Sequence, residues 1–345
     1  MYKALVGIVL LFLPAFAWAH EVYVLPKDVI ARDLTMPSLQ VFEIISAHTG
    51  LFFFWGFITI WAIFTILSIS VSKSVERVVD PILARLKPYA PLVARVTLGL
   101  AIISSGYFGA MFGPELPFAE SAESFGTSLL GSGMVVLGIL VTVGLFTRAA
   151  SLLLILLYCA LWVHYGVYML TYTNYLGEMI LILILGNTNF ALDRFIHHLY
   201  PRALHEFLTW FEKHAFLILR ASFGISLIFA SAYAKFFYAQ LAIDTVTTYQ
   251  LDQVFPFEPS FIVLGAFAIE LLLGLFFLFG IEVRFASLFL LFWLSLSLLY
   301  FGESVWPHIV LAGTAIAIFM HGYDRYTVQW GLMRMRHKRA LEPTL

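Results

Sequence analysis

The sequence predicts an all-α polytopic membrane protein: two tandem, parallel four-helix bundles preceded by one extra span. Three observations carry this. Of 345 residues, 61% are hydrophobic and only 12% are charged, with a mean hydropathy of +0.91, against about 45–50% apolar and about 25% charged in soluble domains. Nine continuously apolar stretches each approach the roughly 20 residues needed to cross a hydrocarbon core. Finally, a block of roughly 100 residues occurs twice. Continuous rather than alternating apolarity disfavours a β-barrel, and only helices or closed barrels satisfy the backbone in lipid. The low charge excludes intrinsic disorder, and a net charge of -1 offers no general attraction to nucleic acid. The single cysteine, Cys159, excludes an internal disulfide, a Cys-x-x-Cys redox pair and a thiolate metal cluster.

Residues 1–19 have the form of a signal peptide. Lys3 is followed by an apolar run from Ala4 to Phe16 and by Ala17-Trp18-Ala19, a small-x-small cleavage site. The run is also long enough to be an uncleaved anchor, and in either case residues 20–46 form a short external segment. An extra span occupies 47–73. Further spans are expected near 91–113, 125–147, 149–172, 175–192, 216–239, 260–281, 283–301 and 303–322. Residues 196–215, with aromatic and leucine positions among Arg, Lys and His, read as a cytoplasmic interfacial linker broken at Pro201. A basic cytoplasmic tail, 327–345, closes the chain.

Orientation follows from Lys and Arg. Sixteen of the twenty, from Lys73 to Arg339, fall on the side of the linker and the tail; Lys27 and Arg32 fall opposite, Lys3 lies in the targeting segment and Lys235 within a span. The positive-inside rule therefore puts the mature N-terminus outside and the C-terminus in the cytoplasm, in a plasma or inner membrane. The outer loops carry acids instead, including Glu115, Glu120, Glu123, Asp244, Asp252, Glu258 and Glu303.

The two copies run over 91–195 and 216–326. Arg95-x-x-x-Gly99 recurs as Arg220-x-x-x-Gly224, Gly144-x-x-x-Arg148 as Gly280-x-x-x-Arg284, and Asp193-Arg194-Phe195 as Asp324-Arg325-Tyr326. Four spans per copy make both enter from the same side, a parallel repeat, which counts against a rocking-bundle transporter built on inverted repeats. Gly109 and Gly113 form a Gly-x-x-x-Gly packing pair.

Arg-x-x-x-Gly opening a first helix, a Lys near that helix's far end, a Glu in the second helix and a Gly-x-x-x-Arg turn before the third: in these features the chain resembles the DoxX/DoxD superfamily. The second copy carries them as Arg220, Gly224, Lys235, Glu270, Gly280 and Arg284, whereas the first has Ala110 and Met134 where Lys and Glu are expected. The resemblance implies a membrane subunit of a quinone-linked oxidoreductase, similar to the small subunit of thiosulfate:quinone oxidoreductase, acting with a partner redox subunit on a sulfur donor with quinone as acceptor. The superfamily is functionally mixed, so the resemblance does not fix a substrate.

Ionisable residues inside a bilayer are costly and are functional candidates by default. Counted from each helix's charged inner marker at 1.5 Å per residue, His164, Glu178, Lys235, Glu270 and His308 all lie about 21–24 Å along their helices, one layer in the outer third of the membrane. Tyr107, Tyr165, Tyr168, Tyr233, Trp306 and His48 border it. A quinone headgroup needs hydrogen-bond donors at its carbonyls and a proton source. Lys235, Glu270 and Glu178 are the expected proton-handling groups, with His164, His308 and Trp306 as headgroup contacts. Lys235 and Glu270 read equally well as a structural ion pair. Bis-histidine haem ligation by His164 and His308 is the weaker reading, because a hydrogen-bonded interior histidine is the commoner outcome. A copper site at the mature N-terminal His20 lacks the scaffold such a site needs. Two other classes stay open: a noncatalytic membrane anchor or assembly subunit, and a carrier for a metal ion or small solute.

Overall fold

The computed structural model describes residues 25, 27–118, 125–186, 190–195, 202–255, 257–301 and 306–331, so the targeting segment, His20 and most of the basic tail lie outside the described residues. Long apolar helices dominate, as backbone satisfaction in lipid requires. Helix α1 is Lys27–Asp33, α2 Val41–His48, α3 Phe52–Leu86, α4 Ala90–Phe108, α5 Phe125–Val143, α6 Thr147–Tyr165 and α7 Thr173–Leu185. There follow α8 Arg202–Glu212, α9 Ala215–Ala232, α10 Ala239–Thr248, α11 Leu251–Val254, α12 Pro259–Phe279, α13 Val283–Phe301 and α14 Pro307–His321. Each of the nine expected spans holds a helix, and the chain is a multi-pass membrane protein.

Two differences from expectation have clear causes. The first span does not end near residue 73: α3 continues to Leu86 through Pro81, because Lys73, Glu76 and Asp80 share one face that is held by the rest of the molecule. Lys73 Nζ lies 2.6 Å from Glu282, the Tyr323 hydroxyl donates to Glu76 at 3.2 Å, and Arg284 pairs with Asp80. Second, the expected span 149–172 is α-helical only to Tyr165, inside the 39-residue apolar run Thr147–Leu185. It reverses through a 3-10 turn at Gly166–Tyr172, and α7 returns against α6, with Tyr158 Oη donating to Met169 O at 2.7 Å and Ser151 Oγ to Met179 O.

Taken by sequence copy, α4 to α7 are one set of helices and α9 with α12, α13 and α14 the other, and the sets pack closely on each other, α7 on α9 and α14 on α4. Matching contacts recur. A Cβ on Gly99 would sit 2.8 Å from Gly138 O, and one on Gly224 would sit 2.6 Å from Gly274 O, so both helix crossings bring backbones together as only small residues permit. At the basic end, Arg95 donates to Phe190 O at 3.3 Å and Arg220 to Tyr326 O at 3.1 Å, each guanidinium lying over a left-handed glycine, Gly144 or Gly280. Both acceptors are loop carbonyls, and Arg220 also donates to Phe277 O, at 2.6 Å, in the last turn of α12.

That register corrects one sequence correspondence. Phe190 matches Tyr326, so Asp193 does not match Asp324. Asp193 caps α6, accepting from Phe146 N at 2.6 Å, Thr147 N at 2.8 Å and the Thr147 hydroxyl, whereas Asp324 accepts from Tyr326 N at 2.8 Å and lies 3.6 Å from His321. Burial works against the Asp324 charge, but the hydrogen bonds from His321 and Tyr326 and the nearby Arg220 outweigh it and hold the carboxyl below its ordinary range. A depressed folded pKa stabilises the fold above the unfolded value of about 3.9, and that contribution is lost as pH falls through the folded pKa. Thermal unfolding of the detergent-solubilised chain is thus expected to show an acid loss of stability below about pH 4 that Asp324→Asn reduces.

The N-terminal segment folds over the opposite end. Leu39 N donates to Phe236 O at 2.8 Å, His48 stacks on Phe261 with centroids 4.7 Å apart, and Arg32 pairs with Asp33 and Asp244. Leu39, Ala242, Val246 and Val263 bury a small apolar cluster under it.

Candidate functional site

Beyond α9 the backbone widens into a π-turn, Tyr233–Phe237, closed by Tyr238 N to Tyr233 O at 3.0 Å. Such turns are rare and recur at functional sites. This one aims two neighbouring side chains at different partners. Lys235 turns to α12, where Nζ lies 3.0 Å from Glu270 Oε2, with side-chain exposures of 7% and 17%. Tyr233 turns to the other helix set, its ring 5.0 Å from that of Tyr168. The Tyr168 hydroxyl in turn donates to Glu115 Oε1 at 3.3 Å. Phe236 stacks on Phe267 at 5.7 Å and gives the pair an aromatic flank.

Glu115 is a residue that the sequence placed in an outer loop. The segment 109–118 instead folds back on itself, Met111 N pairing with Leu116 O at 2.8 Å and Phe118 N with Gly109 O at 2.8 Å. It buries Met111, Phe112, Leu116 and Phe118 in an apolar core that Trp306 and Val310 at the start of α14 also enter, and Tyr175 Oη donates to Phe112 O at 2.9 Å. The available signal was that apolar sequence on both sides of Glu115, which is unusual for a solvated loop.

The layer of five equally deep polar residues is therefore not one cluster. Lys235 and Glu270 meet. Glu178 is fully buried elsewhere, where α7 meets α14, and accepts a hydrogen bond from Thr314 Oγ1 at 2.6 Å. His164 is exposed, against the edge of the Tyr165 ring. His308 is partly buried at the start of α14, and α6 and α14 do not form a packed pair. The facing imidazoles that haem ligation needs are thus not brought together. Trp306 is buried and stacks on Phe108, centroids 4.9 Å apart. Among the described residues, no group of three or more His, Cys, Asp or Glu side chains is arranged to hold a metal ion.

The paired Lys235 and Glu270 supply hydrogen-bond donors and a proton-exchanging carboxyl. This is chemistry suited to a carbonyl-bearing ring that gains or loses protons. What the fold and site define is an all-α, multi-pass membrane protein with a buried ion pair on a π-turn. The chain matches no family model, no curated protein and no solved structure.

Proposed function

We propose that this chain is the membrane subunit of a quinone-linked oxidoreductase of the DoxD kind, with a quinone as substrate at the Lys235–Glu270 pair. The observation that carries the reading is the pair itself: a lysine and a glutamate of a transmembrane interior, 3.0 Å apart, on a π-turn that also presents Tyr233 to Tyr168. The residues fit a quinone headgroup. Lys235 Nζ is a donor for a carbonyl of the ring, and Glu270 exchanges the protons that accompany reduction. The chain has no thiolate cluster to carry electrons, so a partner redox subunit, acting on a sulfur donor such as thiosulfate, supplies them. The basic end faces the cytoplasm of a plasma or inner membrane, and the site opens near the outer face.

Membranes containing the chain and its partner are expected to reduce a quinone analogue with such a donor, and Glu270→Gln is expected to slow the reaction about 10²-fold. An unchanged rate in both Glu270→Gln and Lys235→Ala would remove the pair from the site.

A second reading, a noncatalytic anchor, draws on one observation. Charge pairs elsewhere in this molecule fasten helices, as Lys73–Glu282 and Arg284–Asp80 do for α3. In that case the same variants lose folded protein or bound partner rather than turnover.

A further inference from the structure

Glu178 sits where the two helix sets mirror each other. A Cβ on Gly177 of α7 would lie 2.7 Å from Ser222 Cβ of α9, and Gly313 of α14 packs in the same way on Thr97 of α4. The residues that follow these glycines, Glu178 and Thr314, thus hold matching positions, and they bond to each other across the junction. Glu178 is 0% exposed, and its second oxygen, Oε2, has no hydrogen-bond partner among the described residues. A carboxylate held by a single hydroxyl in an apolar interior is expensive.

From Glu178 a line of polar groups runs along the α7–α9 seam toward the end opposite the arginines. One helical turn out, Asn174 Oδ1 accepts from Ser226 Oγ at 3.2 Å, and Ser226 also donates to Thr171 O. Thr171 Oγ1 is another buried polar atom with no hydrogen-bond partner among the described residues. Farther out come Tyr168, in ring contact with Tyr233, and Glu115 at the outer loop. Ser222, Ser226 and Tyr233 recur at helical spacing on one wall, and Glu178, Asn174 and Thr171 on the other.

The mirrored seam between α4 and α14 has the same backbone packing and its own polar pair, Thr97 and Thr314, near Gly313, but differs beyond it. Ala101 stands for Ser226 and Val310 for Asn174, both fully buried, and farther out Phe108 stacks on Trp306. Packing the two sets together therefore does not require a serine and an asparagine at this level, and the Ser226–Asn174 contact belongs to one seam only.

We propose that the α7–α9 seam is a proton path that loads Glu178 from the outer face. Glu178 and Asn174 are one helical turn apart, about 6 Å of rise, a span that one bridging water closes. A proton taken up at Glu115 and Tyr168 passes through the Ser226 hydroxyl and the bridging water, each giving up the proton it holds as it takes the next, and rests on Glu178; Asn174 Oδ1 holds the serine hydroxyl in place and carries no proton, and exchange returns the proton by the same route with no net change of charge. This inference does not rest on a quinone, and its test contains none.

The full chain in lipid vesicles is expected to show an infrared carboxylic-acid carbonyl band that shifts in heavy water and is missing in Glu178→Gln. Dicyclohexylcarbodiimide, which adds the acid O–H across its C=N bond, is expected to modify Glu178 of the unaltered chain, an adduct that peptide mass spectrometry locates without any variant. Asn174→Val with Ser226→Ala copies the residues of the other seam and is expected to slow deuterium exchange of the band by at least about tenfold. Should the double variant fail to fold, Ser226→Ala alone gives the same comparison. Neither band nor adduct at Glu178, or an unchanged exchange rate in the folded seam variant, would overturn the proposal.

Discussion

Lys235→Ala and Glu270→Gln, made singly, are each expected to destabilise the protein by about 3–5 kcal/mol, while Lys235→Ala combined with Glu270→Met recovers most of the loss. Each single change removes one member of a charge pair held between helices, and the lost charge–charge contact is the source of the cost. Glu270 keeps 17% side-chain exposure and Lys235 only 7%, so the loss of Glu270, which takes the carboxylate from the less exposed member, is expected to be the worse of the two. The double variant installs Ala and Met, the residues at the corresponding positions Ala110 and Met134, where the same helix crossing closes without a charge. Thermal unfolding of the full chain in detergent measures the stability series, and quinone reduction in membranes is read beside it. A stable double variant that no longer reduces quinone assigns the pair to the chemistry. A stable double variant with full turnover assigns it to fastening and sinks the proposed function.

The spans were legible because lipid allows the backbone only helices or closed barrels and continuous apolarity selects the helix, so hydropathy located a helix in each stretch. The candidate site was legible in part. Distance along a helix gave the depth of Lys235, Glu270, Glu178, His164 and His308, but depth says nothing about direction around the axis. The buried stripe of α6 runs through Arg148, Ser151, Leu154 and Tyr158; His164 lies about 120° from it at 3.6 residues per turn and faces outward. Lys235 and Glu270 meet because α9 and α12 cross at Gly224 and Gly274. The π-turn leaves no signature in apolarity, since its widening depends on what packs against it. Thr314, the partner of Glu178, is within reach of the sequence: alignment of Gly177 with Gly313 gives the two residues matching positions, whereas the charged motifs at the helix ends say nothing about it. The Asp193–Asp324 match failed for the same reason, since three residues in a loop weigh less than the Arg–carbonyl contacts that fix where each loop begins.

Two glycine substitutions test whether those helix crossings hold the site, with opposite signs expected. Gly224→Ala would put a Cβ 2.6 Å from Gly274 O and 2.7 Å from Leu278 N. Both are backbone atoms of a regular helix and cannot rotate away, so α9 and α12 must part, at a cost of about 1–3 kcal/mol. Parting them also loosens the Phe223–Phe277 contact, centroids 4.8 Å apart, and separates the elements that carry Lys235 and Glu270. Quinone reduction is therefore expected to fall together with stability. Gly265 lies on α12 itself, yet a Cβ there meets nothing within 4 Å, so Gly265→Ala is expected to add about 0.5–1 kcal/mol by removing backbone freedom from the unfolded chain. Thermal midpoints of the two variants under one detergent condition decide the matter. If Gly224→Ala is as harmless as Gly265→Ala, the close crossing is not what sets the distance between α9 and α12, and the geometry of the Lys235–Glu270 pair loses its support.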